Sequence, residues 1–295
     1  MSVEWLSDDL EQVIDRGTEW DVVAGGFVFT EGPVWYNPER ALYFTDIPAD
    51  TIYKWEEDGG RITTFRRSSR KANGMTRDPD GFLIVCEQVT RRVVRIARNG
   101  EMDVAADTFN GKRLNSPNDV VVDRHGGIWF TDPPYGIASL EGGYPGTREQ
   151  EVNGVYRYTP GGSLDLMTDH LYGPNGLAFS SDGTVLFVTD SERYHVRKFT
   201  VTRSELIDDG VFAVLDPAAG SGPPDGLRIS RTGHLFVTGP GGVWIYDSTG
   251  RALGVLRNCE VVANCEFGLS DRPYLYVTAS TSVCRMPLRV NPLAD

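Results

Sequence analysis

The 295-residue chain is predicted to be all-β: a six-bladed β-propeller of four-stranded antiparallel blades, its ring closed by an N-terminal strand, in one domain spanning residues 1–295. Three observations predict it. A strand motif recurs six times at a blade-like period, tight Gly/Asp turns flank the copies, and 3.6-residue periodicity is absent except as a hint in residues 5 to 15.

The motif reads Leu42-Tyr43-Phe44-Thr45-Asp46, Leu83-Ile84-Val85-Cys86-Glu87, Ile128-Trp129-Phe130-Thr131-Asp132, Leu186-Phe187-Val188-Thr189-Asp190, Leu235-Phe236-Val237-Thr238-Gly239 and Leu275-Tyr276-Val277-Thr278-Ala279. Successive copies start 41, 45, 58, 49 and 40 positions apart. Turns such as Asp78-Pro79-Asp80-Gly81 and Ser181-Asp182-Gly183 precede copies, and further β-rich runs such as Thr51 to Trp55 and Val243 to Tyr246 follow them. Short strands joined by such turns build antiparallel blades rather than helical repeats. The last repeat ends near Arg289, with too little chain to complete a sheet. Glu19 to Phe29 is therefore expected to supply its outer strand, which removes an exposed edge, with residues 1–18 as an extension.

About ten residues before each motif stands a second element: Glu31-Gly32-Pro33, Asn73-Gly74-Met75, Asn118-Asp119-Val120, Asn175-Gly176-Leu177, Asp225-Gly226-Leu227 and Asn264-Cys265-Glu266. Each begins with a carboxylate or carboxamide. At equivalent phases of a propeller such side chains converge on the axis and form a ring of oxygen donors. That donor set, without histidine or thiolate, suits one hard divalent cation: Ca²⁺ first, with Mg²⁺, Mn²⁺ or Zn²⁺ as alternatives. Asn-Gly and Asp-Gly are also ordinary turn dipeptides. Six copies in register, with proline directly before Asn118, Asn175 and Asp225, favour the axial reading.

Composition narrows the function classes. A formal net charge of −12 and the lack of a basic stripe beyond Arg66, Arg67, Arg70 and Lys71 argue against nucleic acid as a partner. No apolar run reaches the ~18 residues of a membrane span, and the acidic Met1 to Asp15 carries no apolar core of a signal peptide. A cytoplasmic protein, monomer or weak homodimer, is expected. Cys86, Cys259, Cys265 and Cys284 show no zinc spacing and are expected to be buried free thiols. A G-x-S-x-G elbow, an H-E-x-x-H helix motif and a phosphate-binding glycine loop are all missing.

On these residues the chain resembles the family of gluconolactonase, senescence marker protein (regucalcin) and luciferin-regenerating enzyme, over nearly all of residues 25 to 287. Glu31-Gly32-Pro33-Val34-Trp35, Leu42 to Pro48, Ser116-Pro117-Asn118-Asp119, Gly173-Pro174-Asn175-Gly176-Leu177 and Pro224-Asp225-Gly226-Leu227 carry the resemblance. It implies a divalent ion held by Glu31, Asn175 and Asp225, with Asn118 joining them or contacting substrate, and Asp225 activating water. It also implies a sugar (aldono-) lactone substrate. Related propellers hydrolyse organophosphates such as diisopropyl fluorophosphate, and a non-catalytic calcium-binding propeller is the other alternative.

The chain departs from the animal members at Pro133 to Val152, where the repeat lengthens. Tyr135, Tyr144, Arg148 and Glu149 in this insertion are candidates for a lid that touches substrate, a disordered surface excursion being the alternative, and Asn73 and Asn118 are further candidate substrate contacts. In the expected reaction the lactone carbonyl meets the ion, Asn118 helps hold the polarised oxygen, and Asp225 is the general base or, alternatively, the nucleophile.

Overall fold

The computed structural model of the chain describes residues 2–140 and 142–293. Six antiparallel blades surround an axis, and blades 1 to 4 run from their innermost strand outward in chain order, whereas blades 5 and 6 each take their outermost strand from the N-terminal segment. The innermost strands are Thr30–Tyr36, Ala72–Arg77, Val120–Val122, Pro174–Phe179, Leu227–Ile229 and Val262–Leu269, in blades 1 to 6.

The six repeated motifs are the second strands. They are almost wholly buried, as in Ala41–Asp46 and Leu235–Gly239, because the neighbouring blades cover both faces. This explains why these runs are continuously apolar rather than alternating. Outer strands such as Leu206–Val214 meet water and alternate instead.

The core lies between blades. Ile84 and Cys86 of blade 2 pack with Phe130 and Tyr156 of blade 3, and Leu42, Phe44 and Trp55 of blade 1 pack with Tyr276 and Val283 of blade 6. Trp35 stacks on Tyr276 at 5.0 Å between ring centroids, so aromatic packing seals the closure.

Asp21–Gly25 completes blade 6, pairing antiparallel with Ser282–Pro287, inside the segment the sequence assigns to closure. The first residues do more than the sequence suggests. Ser2–Trp5 adds a fifth strand to blade 5 against Ala252–Arg257. The helical hint in residues 5 to 15 becomes a 3₁₀ turn, Asp8–Gln12, and Leu10, Val13 and Ile14 are buried between blades 5 and 6. Leu10, Val13 and Ile14 thus make this N-terminal extension part of the core.

The Pro133 to Val152 insertion holds Tyr135–Ala138, the one α-helix among the described residues. The four thiols are free; Cys86, Cys265 and Cys284 are buried, whereas Cys259 is exposed, contrary to expectation, in the loop entering blade 6. No helix among the described residues is long and apolar enough to cross a membrane.

Candidate active site

The repeated x-Gly elements are not turns. They lie at the start of the innermost strands, and in blades 1, 2 and 4 they coincide with register shifts, between Glu31 and Val34, Ala72 and Met75, and Pro174 and Leu177. Bulges of this kind re-aim a side chain out of the ladder. The glycine is required by proximity: a Cβ at Gly176 would stand 2.4 Å from the Asp225 carbonyl oxygen, and one at Gly32 would overlap the Asn73 carbonyl. Adjacent inner strands touch backbone to backbone at the axis, which brings the preceding polar side chains together.

The repeated Thr-Asp pair in the second strands fixes these residues. Thr131 Oγ1 donates to the Asn175 carbonyl and Thr189 Oγ1 to the Asp225 carbonyl, each at 2.7 Å, and Thr45 reaches the Asn73 carbonyl at 3.3 Å. The threonine of one blade thus anchors the site residue of the next. The aspartate anchors the approach: Asp132 accepts from the Asn115 and Ser116 amides, at 2.7 and 2.8 Å, and Asp190 from those of Tyr172 and Gly173. Two backbone N–H donors on each carboxyl fix the course of the loop that leads into the next site residue.

Glu31, Asn73, Asn118, Asn175 and Asp225 line one cavity of about 980 Å³ at the axis, together with Tyr135. Glu31 is 3 % exposed and the three asparagines 5 % each, so they face the cavity and not bulk water. Asp225 is more open to it. Tyr144, Arg148 and Glu149 do not join them. Tyr144 is 66 % exposed, Arg148 bonds the Gln150 carbonyl and Asn153, and Glu149 accepts from the Arg113 amide at 2.8 Å. Only the first half of the insertion reaches the cavity, through Tyr135, Ala138, Ser139 and Gly142. The second half is held outward against Phe109 and Lys112 by Gln150.

The structure adds residues the sequence reading passed over. Asp119 fills the place that glycine occupies in most blades, and it lies near Glu31: Asn264 Nδ2 donates to Glu31 Oε2 at 3.0 Å and reaches Asp119 Oδ2 at 3.5 Å. Arg228 and Glu266 form an ion pair, 3.3 Å, beside them. Burial works against the Arg228 cation, but Glu266 and Asp119 outweigh it and raise its pKa. Gln88, Ser191, Glu192 and Tyr194 complete the cavity wall. Asp119 carried a signal, since it breaks the x-Gly pattern; Gln88 carried none.

The carboxylates are short of positive charge. Burial, then repulsion by Asp119, raises the Glu31 pKa to about 7, against bonds from Gly32 and Asn264. Burial, then Glu31 and Asp119, pushes Asp225 well up, with Asn175 acting the other way. Burial likewise raises Asp119, opposed by Arg228.

A divalent cation fits these donors. Ser191 Oγ accepts from Asn175 Nδ2 at 3.1 Å and donates to the Pro224 carbonyl at 2.6 Å, which fixes the amide so that Asn175 Oδ1 is left buried and without a donor. Asn73 Oδ1 is likewise buried and without a donor. Unpaired buried oxygens beside two carboxylates are what a hard cation satisfies. Among the described residues no three His, Cys, Asp or Glu side chains are grouped to hold an ion, so amide oxygens must complete any such set.

Residues 29–281 match the family described as the SMP-30/Gluconolactonase/LRE-like region. The chain is 33 % identical to a gluconolactonase of Zymomonas mobilis, over 95 % of this chain and 84 % of that protein. It is 25 % identical to the pentonolactonase XacC of Haloferax volcanii, over 85 % and 81 %. A solved gluconolactonase from Xanthomonas campestris superposes with a TM-score of 0.91 at 31 % identity, covering 98 % of this chain and 95 % of that one.

Proposed function

The chain belongs to the SMP-30/gluconolactonase/LRE-like family, and from that premise we propose that it is a sugar-lactone hydrolase whose reaction takes place at Glu31, Asn118, Asn175 and Asp225. The observation that carries this reading is the axial cluster itself: carboxylates and donor-less amide oxygens from separate blades facing one substrate-sized cavity.

Glu31, Asn175 and Asp225, with Asn118, would hold the divalent ion. When bound, it supplies a Lewis acid that polarises the lactone carbonyl and acidifies water. The remaining chemistry belongs to the side chains. Ionised beside the cation it would share with Glu31, Asp225, partly open to the cavity, takes a proton from the attacking water as a new C–O bond forms at the carbonyl carbon. Asn118 donates an N–H to the oxygen on which charge develops. The ring C–O bond then breaks, and the departing ring oxygen takes up the proton held by Asp225, giving the aldonic acid.

Recognition of a sugar follows from unsatisfied polar groups. Tyr135 Oη and Gln88 Oε1 are buried in the cavity wall without partners, and burial raises the Tyr135 pKa, keeping it a neutral donor. One donor and one acceptor matched by ring hydroxyls favour a polyol over an apolar ester.

The test is turnover of five- and six-membered aldonolactones and of phosphotriesters, followed by proton release with and without chelator. The expected result is lactone opening that chelation abolishes and a divalent ion restores. Absence of lactone turnover with every ion would overturn the reading.

A further inference from the structure

The innermost strands carry the site at their first residues and end on the opposite rim, about 13 Å further along from Asn73 to Arg77. There a second cavity, of about 790 Å³, opens beneath blades 2 to 4, and it has no part in the axial site.

Its walls are cationic in a protein of net charge −12. Arg77, Arg124, Arg157 and Arg203 face Asp78 and Asp123, an excess of two positive charges. Both acids are already engaged. Asp78 binds Arg95 Nε at 2.7 Å and the Phe82 amide at 2.9 Å. Asp123 accepts from the His125 and Gly127 amides and from Trp129 Nε1, at 2.8 to 2.9 Å, and pairs with Arg157 Nη2 at 3.4 Å.

The arginines are not equally served. Arg124 and Arg203 form no ion pair among the described residues and are exposed. Arg77 and Arg157 each keep a buried Nε–H that has no acceptor. A buried donor left unpaired is disfavoured, and an oxyanion relieves it. Guanidinium forks match phosphate oxygens, and a phosphate monoester carries close to two negative charges at pH 7. The cavity greatly exceeds one phosphate group, and Val122, Phe179 and Val201 give the rest of it an apolar lining.

The geometry points to a binding site for a small organic phosphate monoester on the rim opposite the axial site, with Arg77, Arg124, Arg157 and Arg203 as the anion contacts. The site is independent of the lactone reaction.

Calorimetric titration of the full chain with a hexose 6-phosphate, with the unphosphorylated hexose and with inorganic phosphate tests this at two salt concentrations. Saturable binding of the ester is expected, weaker at higher salt, at least tenfold weaker for inorganic phosphate and undetectable for the free sugar. Arg124→Ala combined with Arg203→Ala, two exposed positions, is expected to weaken it at least tenfold while lactone turnover stays as in the parent. Absence of saturable ester binding up to 10 mM would overturn the site, as would affinity unchanged in that variant. Inorganic phosphate binding as tightly as the ester would overturn its assignment to an organic ligand.

Discussion

Replacing Thr189 by valine keeps the shape of the side chain and removes one hydroxyl from the second strand of blade 4. That hydroxyl donates to the Asp225 carbonyl at 2.7 Å and lies 3.3 Å from the Gly176 carbonyl. A net hydrogen bond is worth ~1 kcal/mol, rising toward ~3 kcal/mol when a buried acceptor is left unpaired. The Gly176 amide still reaches the Asp225 carbonyl at 3.2 Å, so the lower figure applies. In a chain of this size ~1 kcal/mol lowers Tm by only about 2 °C. Activity is expected to respond far more. Asp225 lies just outside its strand, and misplacing a reacting group by ~1 Å costs up to ~100-fold. We therefore expect kcat/KM for lactone opening to fall at least tenfold in Thr189→Val, and Thr189→Ser to recover most of it. Proton-release kinetics alongside calorimetric melting separate the two effects. Turnover within twofold of the parent despite a lowered Tm would refute the positioning role, and so would a serine variant as impaired as the valine one.

Asp225→Asn should lower kcat by ~100-fold or more, the usual weight of a general base, while a divalent ion still raises Tm; unchanged turnover would remove the proposed mechanism. Deletion of residues 1–28 takes away the outer strand of blade 6 and the fifth strand of blade 5, and should unfold the ring cooperatively; a soluble product with native circular dichroism would contradict closure. Leu10→Ala, in the core between blades 5 and 6, should cost ~2–5 kcal/mol in denaturant unfolding, whereas a loss below ~0.5 kcal/mol would make the N-terminus a mere appendage. Burial lowers the pKa of His195, opposed by Asp190, and of His234, opposed by Asp247. Both bind protons less readily folded than unfolded, so the stability they contribute is present above pH ~6.5 and is lost as pH falls below it. Replacing both by glutamine should flatten the fall in Tm between pH 7 and 5.5, and an equally steep fall in that variant would exclude them as its cause.

The fold was legible because each blade repeats the same solution to the same burial problem. The second strands are covered on both faces, so their apolar runs survive in all six copies and give number and period directly. The x-Gly phase was legible for a related reason: close approach of inner strands tolerates no Cβ at Gly32 or Gly176. Features outside the repeat were not. Tyr135 and Tyr144 stand nine residues apart in one insertion, yet one enters the cavity and the other faces solvent, because Gln150 ties the later half to Phe109 and Lys112 and Glu149 ties it to Arg91 of blade 2. Such contacts depend on tertiary partners that no local pattern encodes. Ser2–Trp5 is similar, since four residues carry too little periodicity to reveal a strand whose partner lies some 250 positions away. Asp119, by contrast, is visible in the sequence as a charged residue where blades 1, 2, 4 and 5 place glycine.

The central claim is that oxygens of Glu31, Asn175 and Asp225, from blades 1, 4 and 5, share one cation. Anomalous diffraction from crystals grown with Mn²⁺ measures this without reference to activity. A single strong peak is expected at the axis, within coordination distance, about 2.0–2.6 Å, of all three side chains. A peak held by other residues, or none at the axis with the ion in excess, would contradict it.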